Sequence, residues 1–158
     1  MGTALYSIDT SALIHGWVRA YPPTLPMFTP VWDQLDRLIR EGIIRASEEV
    51  LEDLRKQEGD TLVEWCEERR DFFIPIDDPT QDTMNAIMGK YPRLVDTVKG
   101  KSASDPWVVS LALQCSPKLI VVTEEKGGTV DKPKMPFVCR QEGIRCINLL
   151  NLIGETSE

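Results

Sequence analysis

Asp9, Asp53, Asp105 and Glu125 are spread over most of the chain, yet each falls where a short apolar run gives way to a turn or helix, or within the helix that follows. Loops at one edge of a parallel sheet can gather such distant positions into one pocket. Carboxylates crowded without a counter-charge are unfavourable at neutral pH, so the pattern implies a divalent cation. Carboxylate oxygens suit Mg²⁺ or Mn²⁺, hard ions that prefer oxygen ligands in near-octahedral arrangement, whereas zinc would want His or Cys. Such a site can hydrolyse a phosphate ester without a serine or cysteine nucleophile, because the metal lowers the pKa of bound water and stabilises charge on the phosphoryl group. Thr10, Ser11 and Thr123 stand beside these acids in the sequence and could orient them or hold outer waters.

Each acid taken singly has a plainer explanation. Asp9 or Ser11 could cap the following helix, and Asp105 directly before Pro106 is a better cap still. Asp53 could be a solvated helix residue and Glu125 an exposed loop residue. The one histidine, His15, reads as an exposed or half-buried imidazole. Other chemistries lack their motifs. There is no GxxxxGK[ST] or GxGxxG loop to cradle a nucleotide, and no GxSxG elbow for His15 to serve. An aspartyl-phosphate enzyme would need a second acid where Ser11 stands.

The elements that would position these residues alternate between strand and helix. Ala4 to Ile8 reads as a strand and Thr10 onwards as a helix; Tyr21 to Pro30 is a proline-rich loop. Val31, Trp32, Leu35, Leu38 and Ile39 make one apolar helical stripe that Gly42 ends. Ile43 and Ile44 begin a second strand, and Ser47 caps a helix with Glu48 and Glu49 in its first turn. A further helix is predicted over 61–70, a strand over 72–76, a helix from Asp78 to Met88, and an irregular connection over 92–104. Asp105-Pro106 opens a helix, and Leu119 to Val122 is an uninterrupted apolar, largely β-branched run suited to a strand buried on both faces. A Gly- and Pro-containing loop over 124–136, a short helix over 137–141, a strand over 144–147 and a terminal helical turn complete the pattern. Alternation of this kind predicts a three-layer α/β/α sandwich with a mostly parallel sheet of about five strands, and one domain over 1–158. In such a fold the first and fourth strands are neighbours, so Asp9 and Glu125 should emerge side by side.

Composition narrows the function classes. A net charge of −7 opposes non-specific attraction to a polyanion, so a nucleic acid would have to be held locally. Basic residues outnumber acidic ones from Lys118 to Arg145, whereas Glu41 to Asp82 is acid-rich. Cys66, Cys115, Cys139 and Cys146 form no CxxC pair and read as reduced, packed thiols. The N-terminus has no basic region followed by a long apolar run, and no stretch approaches a membrane span, so a cytoplasmic protein without a membrane partner is expected.

The segment Leu5-Tyr6-Ser7-Ile8-Asp9-Thr10-Ser11-Ala12-Leu13-Ile14 resembles the opening of PIN domains, metal-dependent ribonucleases that include the VapC toxins. Ser104-Asp105-Pro106-Trp107-Val108-Val109-Ser110-Leu111-Ala112 is similar to their third acidic motif, and Val121-Val122-Thr123-Glu124-Glu125 to the fourth. Trp32, Trp65, Asp105-Pro106-Trp107 and Met135-Pro136-Phe137-Val138-Cys139 resemble more specifically the DUF4411 branch of PIN-like proteins. The register of the second motif selects Asp53 where the family usually has Glu, leaving Glu49 and Glu52 as alternatives. The fourth position, often Asp, is Glu125, with Glu124 as the alternative. The resemblance implies cleavage of RNA by water activated at Mg²⁺ or Mn²⁺. It also implies a cognate antitoxin partner for toxin members, many of which form homodimers. Lys126, Lys132, Lys134, Lys99, Lys101 and Arg93 are candidate RNA contacts by position. A catalytically silent PIN-like module binding RNA or a partner protein is the alternative function, and a small-molecule phosphohydrolase using the same carboxylates is a third.

Overall fold

Three residues at the centre of the sheet explain its layering. In the computed structural model, which describes residues 4–56, 60–95 and 103–157, strand β1 is Tyr6–Ile8. Successive side chains on a strand point to opposite faces. Ser7 Oγ donates to the Val108 carbonyl at 3.0 Å, inside helix α6 (Asp105–Gln114), so α6 covers the Ser7 face. Tyr6 Oη donates to Glu155 Oε1 at 2.6 Å, inside helix α8 (Leu149–Thr156), so α8 covers the other. A small buried hydroxyl at Ser7, fully satisfied, lets α6 cross β1 closely without stranding a polar group.

Strand β2 (Ile44–Ser47) lies on one side of β1 and β4 (Ile120–Val122) on the other. Strands β3 (Phe73–Ile74) and β5 (Cys146–Ile147) form the edges, giving the order β3-β2-β1-β4-β5 with every pairing parallel. The remaining helices are α1 (Thr10–Ile14), α2 (Thr29–Arg40), α3 (Glu48–Lys56), α4 (Asp60–Glu67), α5 (Asp78–Lys90) and α7 (Met135–Gln141). The expected α/β/α sandwich is therefore present, with β1 and β4 adjacent as anticipated.

Boundaries differ where local chemistry intervenes. The predicted strand over 72–76 is only Phe73–Ile74: Phe72 belongs to a 3₁₀ turn, and Pro75, which has no N–H, follows the strand. The helix expected over 61–70 ends at Glu67. Asp77, one residue earlier than expected, caps α5 by accepting the Thr80 N–H at 2.9 Å. Helix α1 continues as a π-helical stretch, His15–Ala20, closed by Tyr21 N–H donating to the Gly16 carbonyl at 2.8 Å. Residues 96–102, within the connection that the sequence left irregular, lie outside the described residues.

Packing beneath this frame is led by aromatics. Trp17, Trp32 and Trp65 meet edge-on or tilted, with ring centroids 4.7, 5.2 and 5.9 Å apart. Such pairs contribute about 0.5–1.5 kcal/mol each beyond their buried area. The Arg69 guanidinium lies 4.0 Å from the Trp65 ring centre and donates to Asp36 at 2.7 Å, tying the segment after α4 to α2. Helix α6 is buried at Val108, Val109, Ser110, Leu111 and Ala112, around most of its circumference, because α5 and the sheet enclose it. At the C-terminus, the short α8 depends on a capping box in which Asn148 accepts from Asn151 N–H at 2.8 Å. Asn148→Ala is expected to cost about 1 kcal/mol, lowering the melting temperature by roughly 2–4 °C in thermal unfolding followed by circular dichroism. Among the described residues no helix is long and apolar enough to cross a membrane.

Candidate active site

Asp9 follows the last residue of β1, and its N–H donates to the Val122 carbonyl of β4 at 3.0 Å. That ladder bond sets the β1 and β4 ends side by side, which puts Asp9 against Thr123. Asp9 is almost wholly buried and saturated with donors: Ala12 N–H reaches Oδ1 at 2.8 Å, Ser11 Oγ lies 2.8 and 2.9 Å from the two oxygens, and Thr123 Oγ1 donates to Oδ2. Asp9 therefore does cap α1, and its charge also interacts with those of Glu125 and Asp105. Ser11 in turn accepts the Glu124 N–H at 3.0 Å, and Thr123 Oγ1 accepts the Glu125 N–H at 3.1 Å. The hydroxyls named by position thus bind the acids and the loop that carries them.

Asp53 is buried on the inner side of α3, contrary to the solvated-residue alternative. Its Oδ2 accepts from Ser104 N–H at 3.1 Å and from Thr10 Oγ1 at 3.4 Å. Glu52 turns outward to Arg55 at 2.5 Å. Glu49 is half-buried; burial raises its pKa first, followed by the charges of Glu48, Glu52 and Asp53. Ser104, whose Oγ lies 3.2 Å from Thr10 Oγ1, is a buried partner of Asp53 that sequence reading did not single out. A serine preceding Asp-Pro carries no signal of a contact with α3.

Asp105 departs most from its plain reading. Ser104 occupies the N-cap position of α6 and makes no side-chain cap bond, while Asp105 sits inside the first turn, buried, with Oδ2 lacking any hydrogen-bond partner. A buried carboxylate oxygen without a donor is costly. Burial pushes the Asp105 pKa far above the ordinary carboxylate range, and the charges of Glu125, Asp9 and Asp53 push it further. Asp9 is raised by burial to about 7 against the opposing bonds from Thr123, Ala12 and Ser11, with the Glu125 charge adding to the rise. Glu125 itself is half-buried and accepts the Met135 N–H of α7 at 3.2 Å. Glu124 points elsewhere: it accepts Leu149 N–H at 2.8 Å and lies 3.6 Å from His15 Nε2.

The four acids singled out in the sequence thus share one electrostatic neighbourhood, while Glu52 and Glu124 are engaged outside it. Among the described residues, no three His, Cys, Asp or Glu side chains stand in ready metal-holding geometry. The donors are all carboxylates, the ligand type that suits a hard cation, and the Asp105 oxygen without a donor, amid other carboxylates, is the feature that such an ion would satisfy.

The loop after Glu125 is held by glycine. Gly128 has φ +109°, and a Cβ there would lie 2.7 Å from the Lys134 backbone nitrogen, so only glycine lets the loop return to α7 beside Glu125. Lys126, Lys132 and Lys134 are exposed on or beside this loop, and Arg93 reaches the Asp131 carbonyl at 3.5 Å. Lys99 and Lys101 lie outside the described residues.

A family profile described as a domain of unknown function, DUF4411, matches residues 6–158. The chain belongs to the DUF4411 family. The DUF4411 chain is similar in structure to PAE2754 from Pyrobaculum aerophilum, with 13% identity, a TM-score of 0.53, and coverage of 98% of this chain and 90% of that one. It is likewise similar to FitAcB from Neisseria gonorrhoeae, with 17% identity, a TM-score of 0.53, and coverage of 92% and 99% respectively. These likenesses show a PIN-like fold. No curated protein matches the chain.

Proposed function

We propose that this DUF4411 protein is a metal-dependent ribonuclease of the PIN type, acting as the toxin of a toxin-antitoxin pair. The observation that carries the reading is the Asp105 carboxylate, which has a buried oxygen without a donor and whose pKa is raised first by burial and then by the charges of three carboxylates from separate elements. Asp9, Asp53, Asp105 and Glu125 would hold Mg²⁺ or Mn²⁺. When bound, such an ion lowers the pKa of a water and stabilises charge on a phosphoryl oxygen. The chain's own part is positioning. Ser11 and Thr123 fix both oxygens of Asp9, Thr10 and Ser104 fix Asp53, and the Met135 N–H fixes Glu125. An RNA substrate, a cognate antitoxin and a homodimer follow from the resemblance to the VapC-type toxins.

One observation favours the alternative of a silent binding module: both oxygens of Asp9 are already occupied by hydrogen bonds. The pure protein is expected to cleave RNA when given Mn²⁺ or Mg²⁺ and to stop when EDTA is added, read by gel separation of labelled RNA. Binding of RNA without metal-dependent products would decide for the silent module.

A further inference from the structure

A cleft of about 470 Å³ opens beside the acid cluster, lined by Ser11, Ile14, His15, Arg19, Glu124 and Lys126. Ser11 is the wall shared with the acids, since the same hydroxyl bonds both oxygens of Asp9. Ser11, His15 and Arg19 recur at four-residue spacing along α1 and its π-helical extension, and they line the cleft together. Lys126 comes from the loop after β4.

Charge within this cleft runs against the rest of the molecule. The chain carries −7 overall, and most of its arginines are tied to acids, as in Arg55 with Glu67, Arg69 with Asp36 and Arg145 with Glu155. Arg19 and Lys126 are exposed, and neither has a hydrogen-bond or ion-pair partner among the described residues. The one acid in the cleft, Glu124, is held by the Leu149 N–H and faces His15. Two unpaired cations therefore border the cleft while half-buried Ile14 supplies an apolar surface in it. Apolar surface suits the face of an unstacked base, and cations suit the phosphates that join it to the chain.

We infer that this cleft is a nucleotide subsite, in which Arg19 and Lys126 hold the backbone phosphate next to the reacting one and a single-stranded RNA base rests over Ile14. The subsite rests on the ribonuclease reading for its choice of RNA, but it binds whether or not the acids turn the substrate over. It explains how so acidic a chain holds a polyanion: two local cations anchor the strand beside the carboxylates that would otherwise repel it. Duplex RNA keeps its bases stacked and paired, so the single strand is the expected ligand.

The test is binding of a fluorescent single-stranded RNA oligonucleotide, measured by anisotropy across a salt series, in an Asp105→Asn background that prevents turnover. Arg19→Ala and Lys126→Ala are each expected to weaken binding by roughly tenfold, as for loss of a charged hydrogen bond. The slope of log affinity against log salt should become shallower by about 0.7 for each cation removed and about 1.4 for both. Arg70→Ala makes the same change in net charge in a different cleft, lined by residues from Ile39 to Phe72, and should leave both quantities as they were. Both side chains are exposed, so the variants should keep the parent melting temperature. Absence of RNA binding, unchanged affinity and slope in the double variant, or an equal loss in Arg70→Ala would each overturn the subsite. Cleavage by the wild-type chain together with unaffected binding by the double variant would remove the subsite alone. Cation-dependent binding by a wild-type chain that never cleaves would support the subsite and remove the ribonuclease reading.

Discussion

Asp105→Asn should abolish metal-dependent RNA cleavage and raise the melting temperature of the metal-free protein. The two effects share one cause. Asp105 is buried, one of its oxygens has no donor, and its neighbours Glu125, Asp9 and Asp53 oppose its ionisation. Asparagine keeps the shape, removes the charge and offers an N–H₂ to the surrounding carboxylates, so the fold gains. On the proposed reading, chemistry loses a cation ligand. Because removing even a residue that only supports a metal ligand commonly costs about 10–100-fold, losing a ligand should cost at least about 100-fold in cleavage rate. The melting temperature should rise by more than about 2 °C. Asp9→Asn is expected to lose activity without the thermal gain. Both Asp9 oxygens accept hydrogen bonds, including the α1 cap, and an amide nitrogen would confront a donor. Full cleavage by Asp105→Asn would take Asp105 out of the chemistry. Lost cleavage with a lower melting temperature would mean that the residue serves the fold alone.

Without divalent cation, the protein should become more stable as pH falls from about 8 to 5. A carboxyl whose pKa in the folded state exceeds its unfolded value binds more protons when folded. Its contribution is complete below the unfolded pKa, near 4, and disappears as pH rises through the folded pKa. For Asp9 that upper limit is about 7, and Asp105 and Glu49 shift in the same direction. The opposite group comprises Asp36, lowered by its bonds to Arg69 and Arg40 against the pull of burial, and Glu155, lowered first by Arg145. Their stabilisation is lost only below the ordinary carboxylate range, so it does not reverse the trend in this window. Added Mn²⁺ should raise the melting temperature more at pH 8 than at pH 5, because cation and proton compete for the same oxygens. Melting curves across pH, with EDTA and with Mn²⁺, would measure this. In the Asp9→Asn, Asp105→Asn double variant both the pH slope and the Mn²⁺ response should be much reduced; an unchanged slope in that variant would place the titrating groups elsewhere.

The layered fold was legible because its signals are local. The apolar, mostly β-branched run Leu119 to Val122 reads as an inner strand, and the structure has β4 there from Ile120; the apolar stripe of α2 and the Ser47 cap of α3 appear where periodicity and capping chemistry put them. Boundaries were less legible where neighbouring residues compete. Asp77 and Asp78 are both plausible caps for α5, and backbone geometry chooses Asp77. Phe72 looks like strand and is drawn into a 3₁₀ turn, where it packs at 4.7 Å against Phe73.

By itself, the sequence determined the order of strands and helices, the acids at their ends and the hydroxyls beside them, because each depends on a few adjacent residues. Side-chain direction belonged to the tertiary structure. Only the pairing of β1 with β4 could set Thr123 against Asp9, and only the packing of α3 against the start of α6 could bring Ser104 to Asp53. The same holds for the burial of Glu49, Glu52 and Asp53, which differ little in sequence but greatly in exposure once α3 has a fixed inner face. It holds also for Arg19, an unremarkable surface arginine until the π-helical turn and the loop carrying Lys126 form a cleft around it. Charge interaction in a folded chain depends on distances through space and on exclusion of water, and neither is written in the spacing of residues along the chain.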